Sequence, residues 1–219
     1  MSDDKISGNP AIDAALHLDG DPQKVRAYYD DWAPSYNLDI DNAGYSGPVC
    51  GARLLQRYLA DTGAALLDAG CGTGLVGIEL AALGYRCIDG FDLSEAMTQQ
   101  ARASGVYRRL NGGIEMLRAN DSFAAASYDA VISVGVFTLG HVPPEALEVL
   151  LQLVRPGGIL VISTRSHYYD QTGFQLLIDA LIANRRLELI KLLRGAPYNE
   201  DGTAHYWVFG NPIQEAQGK

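Results

Sequence analysis

The sequence predicts a doubly wound α/β fold, in which a mostly parallel β-sheet carries helices on both faces and an α-helical cap precedes it. Two observations lead to this prediction. From residue 64 onward, short apolar segments alternate with segments of helical length, and this alternation implies right-handed crossovers between parallel strands. The first apolar segment also runs directly into a glycine-rich turn at residues 70–74, a feature typical of ligand-binding doubly wound sheets.

Composition places the chain among ordinary globular proteins. It has 219 residues, 47% of them hydrophobic and 20% charged, which is enough to bury a sizeable core. No apolar run reaches the ~18 residues of a membrane span, and the acidic N-terminus does not resemble a signal peptide. The three cysteines match no metal-ligand spacing. We therefore expect a cytoplasmic protein with no metal site and no membrane partner.

The net charge of -9 and the pI near 4.8 bear on the partner. A surface of this sign repels phosphate backbones, so nucleic acid is not expected as a partner. The sequence makes no prediction of oligomeric state.

Residues 1–60 are predicted to form the helical cap or lid, and residues 61–219 the sheet domain, as one folded unit. Asp21 and Pro22 have the character of an N-cap followed by a first helical residue, opening a helix that runs to Ala33. A turn-rich stretch follows, and a second helix is predicted at residues 49–59.

The sheet domain is predicted element by element from its apolar pattern. Strands are expected at residues 64–70, 85–92, 106–112, 128–135, 158–165, 187–193 and 205–210, and helices at residues 75–84, 94–104, 143–154 and 174–185. The last two strands are separated by residues 194–204 without a crossover helix. They are therefore expected to pair antiparallel, as a hairpin at one edge of the sheet.

The glycine loop is the most informative segment. Residues 72–77 satisfy the pattern G-x-G-x-x-G, which allows a tight turn and brings backbone N–H groups close to a ligand. Asp68 lies in the strand before the loop, where dinucleotide-binding strands are usually apolar. A second acid, Asp92, ends the next strand and is well placed to accept hydrogen bonds from a ribose diol. The alternatives are that Asp68 caps local backbone groups and that Asp92 begins the following helix.

These motifs resemble those of a known family. LLDAGCGTG followed by GFDLSEAM resembles motifs I and post-I of the class I S-adenosylmethionine-dependent methyltransferases. Together with YYDDWAPSYNLDI, GVYRRL, YDAVISVG and RPGGILVISTR, they resemble the methyltransferase-like family named after the Williams–Beuren syndrome region, over residues 28–165. The resemblance implies a seven-stranded Rossmann-like sheet of order 3-2-1-4-5-7-6 that binds S-adenosylmethionine at the carboxyl ends of its strands.

The resemblance also implies roles for individual residues. Gly70, Cys71 and Gly72 of the loop would contact the methionine moiety, and Asp92 would accept hydrogen bonds from the ribose. Leu93 and Met97 would pack on the adenine face, and Asn111 and Gly112 after the third strand would lie near the adenine edge. Val134 and Gly135 at the end of the fourth strand would flank the methionine tail. The acid common after the third strand is missing here. The full set of predicted cofactor-binding residues is Tyr29, Tyr36, Asp68, Gly70, Cys71, Gly72, Gly74, Asp92, Leu93, Met97, Asn111, Gly112, Val134 and Gly135.

Two of these residues belong to the aromatic segment of the cap. In methyltransferases with its Y-D-x-W-A-x-x-Y pattern, the segment closes over the cofactor, so Tyr29 and Tyr36 are expected to reach the methionine carboxylate or the sulfonium. Tyrosine faces and oxygens suit a positive charge. The alternative is an amphipathic helix that only buries Val25, Tyr29 and Trp32 on the sheet.

On the acceptor side, His141 follows the fourth strand and is the candidate general base; the alternative is a loop residue of the pocket. Arg165 and His167, after the fifth strand, are expected to line the acceptor pocket, where Arg165 could bind a carboxylate. The predicted function is O- or N-methylation of a small molecule. The alternatives are an NAD(P)-dependent oxidoreductase, which the lack of a Tyr-x-x-x-Lys pair disfavours, a non-enzymatic binder, and a relative that binds S-adenosylmethionine without transferring methyl.

Overall fold

The computed structural model describes residues 9–200 and 202–213. Its strands are β1 (Ala65–Ala69), β2 (Cys87–Phe91), β3 (Arg109–Asn111), β4 (Tyr128–Phe137), β5 (Val154–Arg165), β6 (Glu188–Asn199) and β7 (Gly202–Gly210). They form one sheet with the order β3-β2-β1-β4-β5-β7-β6. The predicted fold class and strand order are confirmed.

The helices are α1 (Pro10–Ala15), α2 (Pro22–Trp32), α3 (Tyr36–Asn42), α4 (Gly47–Gln56), α5 (Leu75–Ala82), α6 (Glu95–Arg102), α7 (Ala146–Leu153), α8 (Ser166–Gln171) and α9 (Phe174–Ala183). A 3₁₀ helix spans Met116–Asp121. Asp21 caps α2 as predicted, because its carboxylate accepts a hydrogen bond from the backbone N–H of Gln23 at 2.9 Å. Within the described ranges no helix has the length and apolarity needed to cross a bilayer.

Strand directions follow from the connections. The consecutive pairs β1–β2, β2–β3 and β4–β5, each linked through a helix, are parallel, and so is the pair β1–β4 at the centre of the sheet. Strand β7 pairs antiparallel with both β5 and β6. The predicted antiparallel hairpin therefore exists, and β6 is one of the two edge strands, with β3 at the other edge.

The hairpin is longer than the sequence analysis expected. Residues 194–199, predicted as a connection, continue β6, and β7 begins at Gly202. Register shifts between Leu193 and Ala196, and again between Pro197 and Asn199, absorb extra residues in β6. The backbone of Gly195 is left-handed, with φ +58°. A strand that bulges in this way keeps pairing through glycine and proline, which sequence patterns treat as breaks.

Three short helices were not predicted from the sequence. Helix α1 was not predicted, the stretch that forms α3 was described only as turn-rich, and α8 follows β5 directly. Each has six or seven residues. Helices of this length owe their stability to tertiary packing rather than to a periodic sequence signal.

The core consists of two layers, one on each face of the sheet. Adjacent strand residues alternate between them: Leu67 and Val131 pack against α7 and α9, whereas Leu66 and Ile132 pack against α4 and α5. Helix α4, which lies in the segment predicted as the cap, buries Leu55 completely in this second layer. The division into residues 1–60 and 61–219 stays a prediction, but α4 itself packs on the sheet.

A charge network around one buried acid stabilises the β3 edge of the sheet. Asp89 in β2 is completely buried, and its carboxylate accepts hydrogen bonds from Arg108 and Arg109 at 2.7–3.1 Å and from the Tyr128 hydroxyl at 3.0 Å. Burial by itself favours the neutral acid. The hydrogen bonds outweigh it and lower the pKa of Asp89.

We expect Asp89→Ala to lower the free energy of unfolding by about 1–3 kcal/mol, because it leaves the buried Tyr128 hydroxyl without an acceptor. Since folding lowers the Asp89 pKa, its contribution is present above about pH 4 and disappears as the pH falls through the folded-state pKa. The difference between wild type and variant should therefore shrink in acid. Urea titrations at several pH values measure both effects.

The control variant is Asp121→Ala, which breaks an ion pair with Arg118 in which both side chains are exposed. Its cost should stay below about 0.5 kcal/mol at every pH. Equal effects of the two substitutions would contradict the assignment of Asp89 as the buried anchor.

Candidate active site

A cavity of about 550 Å³ lies where β1, β2 and β4 end, beneath α2 and α3. Its wall contains loop residues 70–73 after β1, residues 92–94 after β2, and residues 134–136 in β4 with 140–143 beyond it. The carboxyl ends of parallel strands are where doubly wound sheets bind ligands. The cavity is therefore the candidate active site.

The glycine loop forms one wall with its backbone. Gly70, Gly72 and Gly74 all have left-handed backbones, with φ of +73°, +52° and +91°. A Cβ placed on Gly70 would lie 2.4 Å from the Val136 side chain, whereas one on Gly72 would meet no atom within 4 Å. Gly70 is thus required by close packing, and the backbone at Gly72 is open to a ligand.

Asp92 ties this loop to the end of β2. Its Oδ2 accepts a hydrogen bond from the backbone N–H of Gly72 and its Oδ1 one from the N–H of Ser94, both at 2.8 Å. Burial raises the pKa of this carboxyl despite these bonds. A carboxylate in such a position can accept further hydrogen bonds from hydroxyl groups of a ligand.

The cap is fastened to the sheet domain by side chains and backbone at several points. Asp30 of α2 accepts a hydrogen bond from the Ser94 hydroxyl at 2.6 Å, and the Thr73 hydroxyl donates one to Asn37 of α3 at 2.6 Å. The backbone N–H of Gly20 donates to the Gly140 carbonyl at 3.0 Å. The segment before β1 is thus bonded to the loop after β1, to the residues after β2 and to those after β4.

A tyrosine–histidine pair joins the cap to the loop after β4. The Tyr29 hydroxyl lies 2.7 Å from His141 Nε2, and His141 Nδ1 lies 2.9 Å from the Leu139 carbonyl. Because a carbonyl can only accept, Nδ1 carries the proton and Nε2 accepts from Tyr29. Burial lowers the pKa of His141 and raises that of Tyr29. Both groups are therefore neutral near pH 7.

Further tyrosines surround the end of β4. A Cβ on Gly135 would lie 2.7 Å from the Tyr45 hydroxyl and 3.2 Å from that of Tyr198. These two hydroxyls lie 3.4 Å apart. Burial raises the pKa of Tyr36, Tyr45 and Tyr198, so all three stay un-ionised.

The charged groups on the wall are mainly acidic. In the described part of the chain, Asp19, Asp92 and Glu115 line the cavity, and Arg26 is the single arginine or lysine that does so. Arg26 lies 3.5 Å from Asp30 and 3.6 Å from Glu95, so its charge is partly compensated. The same described ranges contain no cluster of three or more His, Cys, Asp or Glu side chains arranged to hold a metal ion.

The cavity brings together eleven of the fifteen residues predicted to form the site: Tyr29, Tyr36, Gly70, Cys71, Gly72, Asp92, Leu93, Met97, Val134, Gly135 and His141. The other four, Asp68, Gly74, Asn111 and Gly112, lie off its wall. Asp68 is completely buried beneath the loop, and Gly74 is the residue at which α5 begins to turn away.

The wall after β3 is formed by Ile114 and the three residues that follow it, not by Asn111 and Gly112. The reason is local geometry. A Cβ on Gly112 would lie 2.9 Å from the backbone of Glu95, so the chain uses Gly112 and Gly113 to pass α6. Ile114 then donates its N–H to the Asp92 carbonyl at 3.0 Å. The two consecutive glycines are the sequence signal that could have moved the predicted contact from Asn111 and Gly112 to the residues that follow them.

Arg165 and His167 do not reach the cavity wall, contrary to expectation. The Arg165 guanidinium lies over the ring of Tyr198, 4.8 Å from its centroid, and Tyr198 separates it from Tyr45. Tyr45 and Pro48 do line the cavity, although sequence reasoning passed over them because they lie in a turn-rich stretch without periodicity.

Comparison with known proteins agrees with this geometry. A seven-stranded sheet in this order, with a glycine loop after β1 and an acid after β2, defines the Rossmann-like methyltransferases. A family model described as a methyltransferase domain matches residues 49–210. The chain therefore belongs to this methyltransferase family, as the sequence predicted, and the match favours a methyltransferase over the oxidoreductase alternative.

Relatives extend this comparison. The chain is 37% identical over 145 residues to methyltransferase-like protein 27 of Homo sapiens, covering 64% of this chain and 57% of that protein. It is 36% identical over 145 residues to malonyl-acyl-carrier-protein O-methyltransferase of Erwinia pyrifoliae, covering 65% and 51%. The chain thus spans little more than half the length of these curated relatives.

Among solved structures, magnesium protoporphyrin IX methyltransferase from Synechocystis with bound S-adenosylmethionine superposes with a TM-score of 0.66. The identity is 18%, and the match covers 88% of this chain and 97% of that one. At this identity the likeness shows the fold.

The His141 geometry makes a prediction for nuclear magnetic resonance. Long-range ¹H–¹⁵N spectra at pH 7 should show Nδ1 protonated and Nε2 unprotonated, with a titration midpoint below 6.5, because burial disfavours the imidazolium. Tyr29→Phe should shift the Nε2 resonance and leave Nδ1 protonated. An Nε2-protonated ring, or a midpoint above 6.5, would contradict the pair.

Proposed function

We propose that the protein transfers a methyl group from S-adenosylmethionine to a hydroxyl or amine of a small, uncharged or cationic molecule. The observation that carries the proposal is that one cavity is lined both by the glycine loop with Asp92 and by the Tyr29–His141 pair. The glycine loop and Asp92 are suited to bind a nucleoside with an amino-acid tail. The Tyr29–His141 pair is suited to an acceptor that must lose a proton.

The wall fits the cofactor group by group. The Asp92 carboxylate is placed to accept from a ribose diol, and Phe91, Leu93 and Met97 offer an apolar surface for a flat base. The open backbone at Gly72 leaves room for the tail. When bound, S-adenosylmethionine supplies a methyl group activated on a sulfonium. Neutral tyrosine hydroxyls and rings around Gly135 suit that positive charge.

The charges of the wall bear on the class of acceptor. Asp19 is paired with Lys24 and Arg26 is partly compensated, so Asp92 and Glu115 leave the cavity negative, which favours cations and opposes anions. Arg165, the residue expected to bind a carboxylate, stacks on Tyr198 away from the wall. An uncharged or cationic acceptor therefore fits better than a carboxylic acid.

The proton of the acceptor can be taken up by the Tyr29–His141 pair. His141 Nε2 is the free base of the ring, and the Tyr29 hydroxyl that donates to it lines the cavity. An acceptor hydroxyl that donates to the Tyr29 oxygen can pass its proton to Tyr29 while Tyr29 passes its own to Nε2. The cap meanwhile excludes water from the cavity.

The first test concerns the cofactor. Asp92→Ala should weaken S-adenosylhomocysteine binding roughly ten- to hundredfold in calorimetry, because it removes hydrogen bonds to a charged acceptor. The matched control is Asp89→Ala. It removes a buried acid within β2, the strand that Asp92 follows, and the hydrogen-bond partners of Asp89 do not line the cavity. Unchanged affinity in Asp92→Ala, or tight binding of NAD by the wild type, would overturn the proposal.

The second test concerns the acceptor. Release of S-adenosylhomocysteine is measured with matched phenols, alcohols, amines and carboxylic acids. On hydroxyl acceptors, His141→Ala should lower kcat about a hundredfold or more, the usual contribution of a general base, and leave cofactor affinity within about threefold. Preferential methylation of carboxylates or RNA, with His141→Ala fully active, would show that the acceptor class is wrong.

A further inference from the structure

Tyr107 occupies a slot made of glycines beneath the cofactor loop. It lies between α6 and β3, and its ring passes under the start of α5. A Cβ on Gly77 would lie 2.3 Å from the ring, one on Gly90 2.8 Å, and one on Gly74 3.1 Å. Gly74 and Gly77 belong to the G-x-G-x-x-G pattern, which is typical of ligand contact. Here, however, both glycines leave space for the Tyr107 side chain.

At the end of this slot, the tyrosine meets the buried acid of β1. The Tyr107 hydroxyl donates to Asp68 Oδ2 at 2.6 Å. The other oxygen, Oδ1, has no hydrogen-bond partner among the described residues, and Asp68 is completely buried. An acid with one unpaired oxygen therefore lies two residues before Gly70, and the cofactor side of the loop lies just beyond it.

The protonation of Asp68 is finely balanced. The pKa of Asp68 is raised to about 7 as the net result of burial, which raises it, the hydrogen bond from Tyr107, which lowers it, and the negative charge of Asp92, which raises it. The backbone N–H of Gly77 acts in the same direction as Tyr107. Cys71 of the loop also interacts with Asp68, and its thiol stays protonated because burial raises its pKa.

We infer that Tyr107 is a positioning residue whose hydroxyl favours the ionised form of Asp68 beneath the glycine loop, and so sets the pH range over which Asp68 affects cofactor affinity. The inference rests on the proposed cofactor site. An ionised Asp68 attracts the positive groups of S-adenosylmethionine, and a protonated one does not. Affinity should therefore rise as the pH increases through about 7, and more for S-adenosylmethionine than for its uncharged-sulfur product.

The test is calorimetric titration with S-adenosylmethionine and S-adenosylhomocysteine between pH 5.5 and pH 9.5. Tyr107→Phe keeps the ring in its slot and removes only the hydroxyl. Because a hydrogen bond to a charged group is lost, the midpoint of the affinity rise should move upward by about one to two pH units. Affinity should recover at the alkaline end.

Two further variants complete the design. Asp68→Asn should abolish the rise in cofactor affinity near neutral pH. The pH dependence that remains in this variant comes from Asp92, His141 and the ligand itself, and it is subtracted from the wild-type profile. Tyr85→Phe is the matched control, since its hydroxyl donates to the Leu59 carbonyl and Tyr85 does not line the cavity. Its midpoint should equal that of the wild type.

A uniform loss of affinity in Tyr107→Phe at every pH would mean that Tyr107 is only structural. An unshifted midpoint would likewise overturn the inference. Failure of the wild type to bind either ligand at any pH would instead overturn the proposed function itself.

A measurement on the wild-type protein does not depend on the folding of Tyr107→Phe. The ¹³Cζ resonance of labelled Tyr107 should titrate with a midpoint near pH 7, and this midpoint should fall when S-adenosylmethionine binds. The absence of such a titration, or a midpoint that binding leaves in place, would contradict the coupling between Tyr107, Asp68 and the cofactor.

Discussion

The connection from β1 to α5 is the constraint on which the rest of the structure depends. Three left-handed glycines allow the chain to leave the sheet and begin a helix within five residues, and only glycine enters that conformation readily. The Asp92 carboxylate, bonded to the N–H of Gly72 and to that of Ser94, then fixes this turn relative to the end of β2. Asp92 thus connects the glycine loop to Ser94, the residue that caps helix α6.

The cap depends on the same residues. Asp30 binds the Ser94 hydroxyl, and Asn37 accepts from Thr73 within the loop itself, so the cap is attached to the very segments that face a ligand. His141 supplies the attachment on the opposite side. These polar bonds are supplemented by apolar packing, since Trp32 and Ile40 belong to a cluster that includes Leu75 of α5, and α4 is buried in the second core layer of the sheet.

Most of the fold could be predicted from the sequence because its signals are local. Apolar segments bounded by glycine indicated the strands of the parallel sheet, and the missing crossover helix indicated the antiparallel hairpin. What failed were elements without periodicity: the short helices α1, α3 and α8, and the bulged half of β6 around Gly195. Their stability comes from neighbours distant in sequence, which no local pattern records.

For the site, the sequence by itself determined the glycine loop, Asp92 and the place of His141, because backbone conformation and strand ends are encoded locally. Only the tertiary structure decided which atoms meet. It joined His141 to Tyr29 across more than a hundred residues, moved the wall after β3 to Ile114, and placed Arg165 on Tyr198. These contacts depend on side-chain packing between separate elements, and their distances are set by the whole sheet rather than by any one segment.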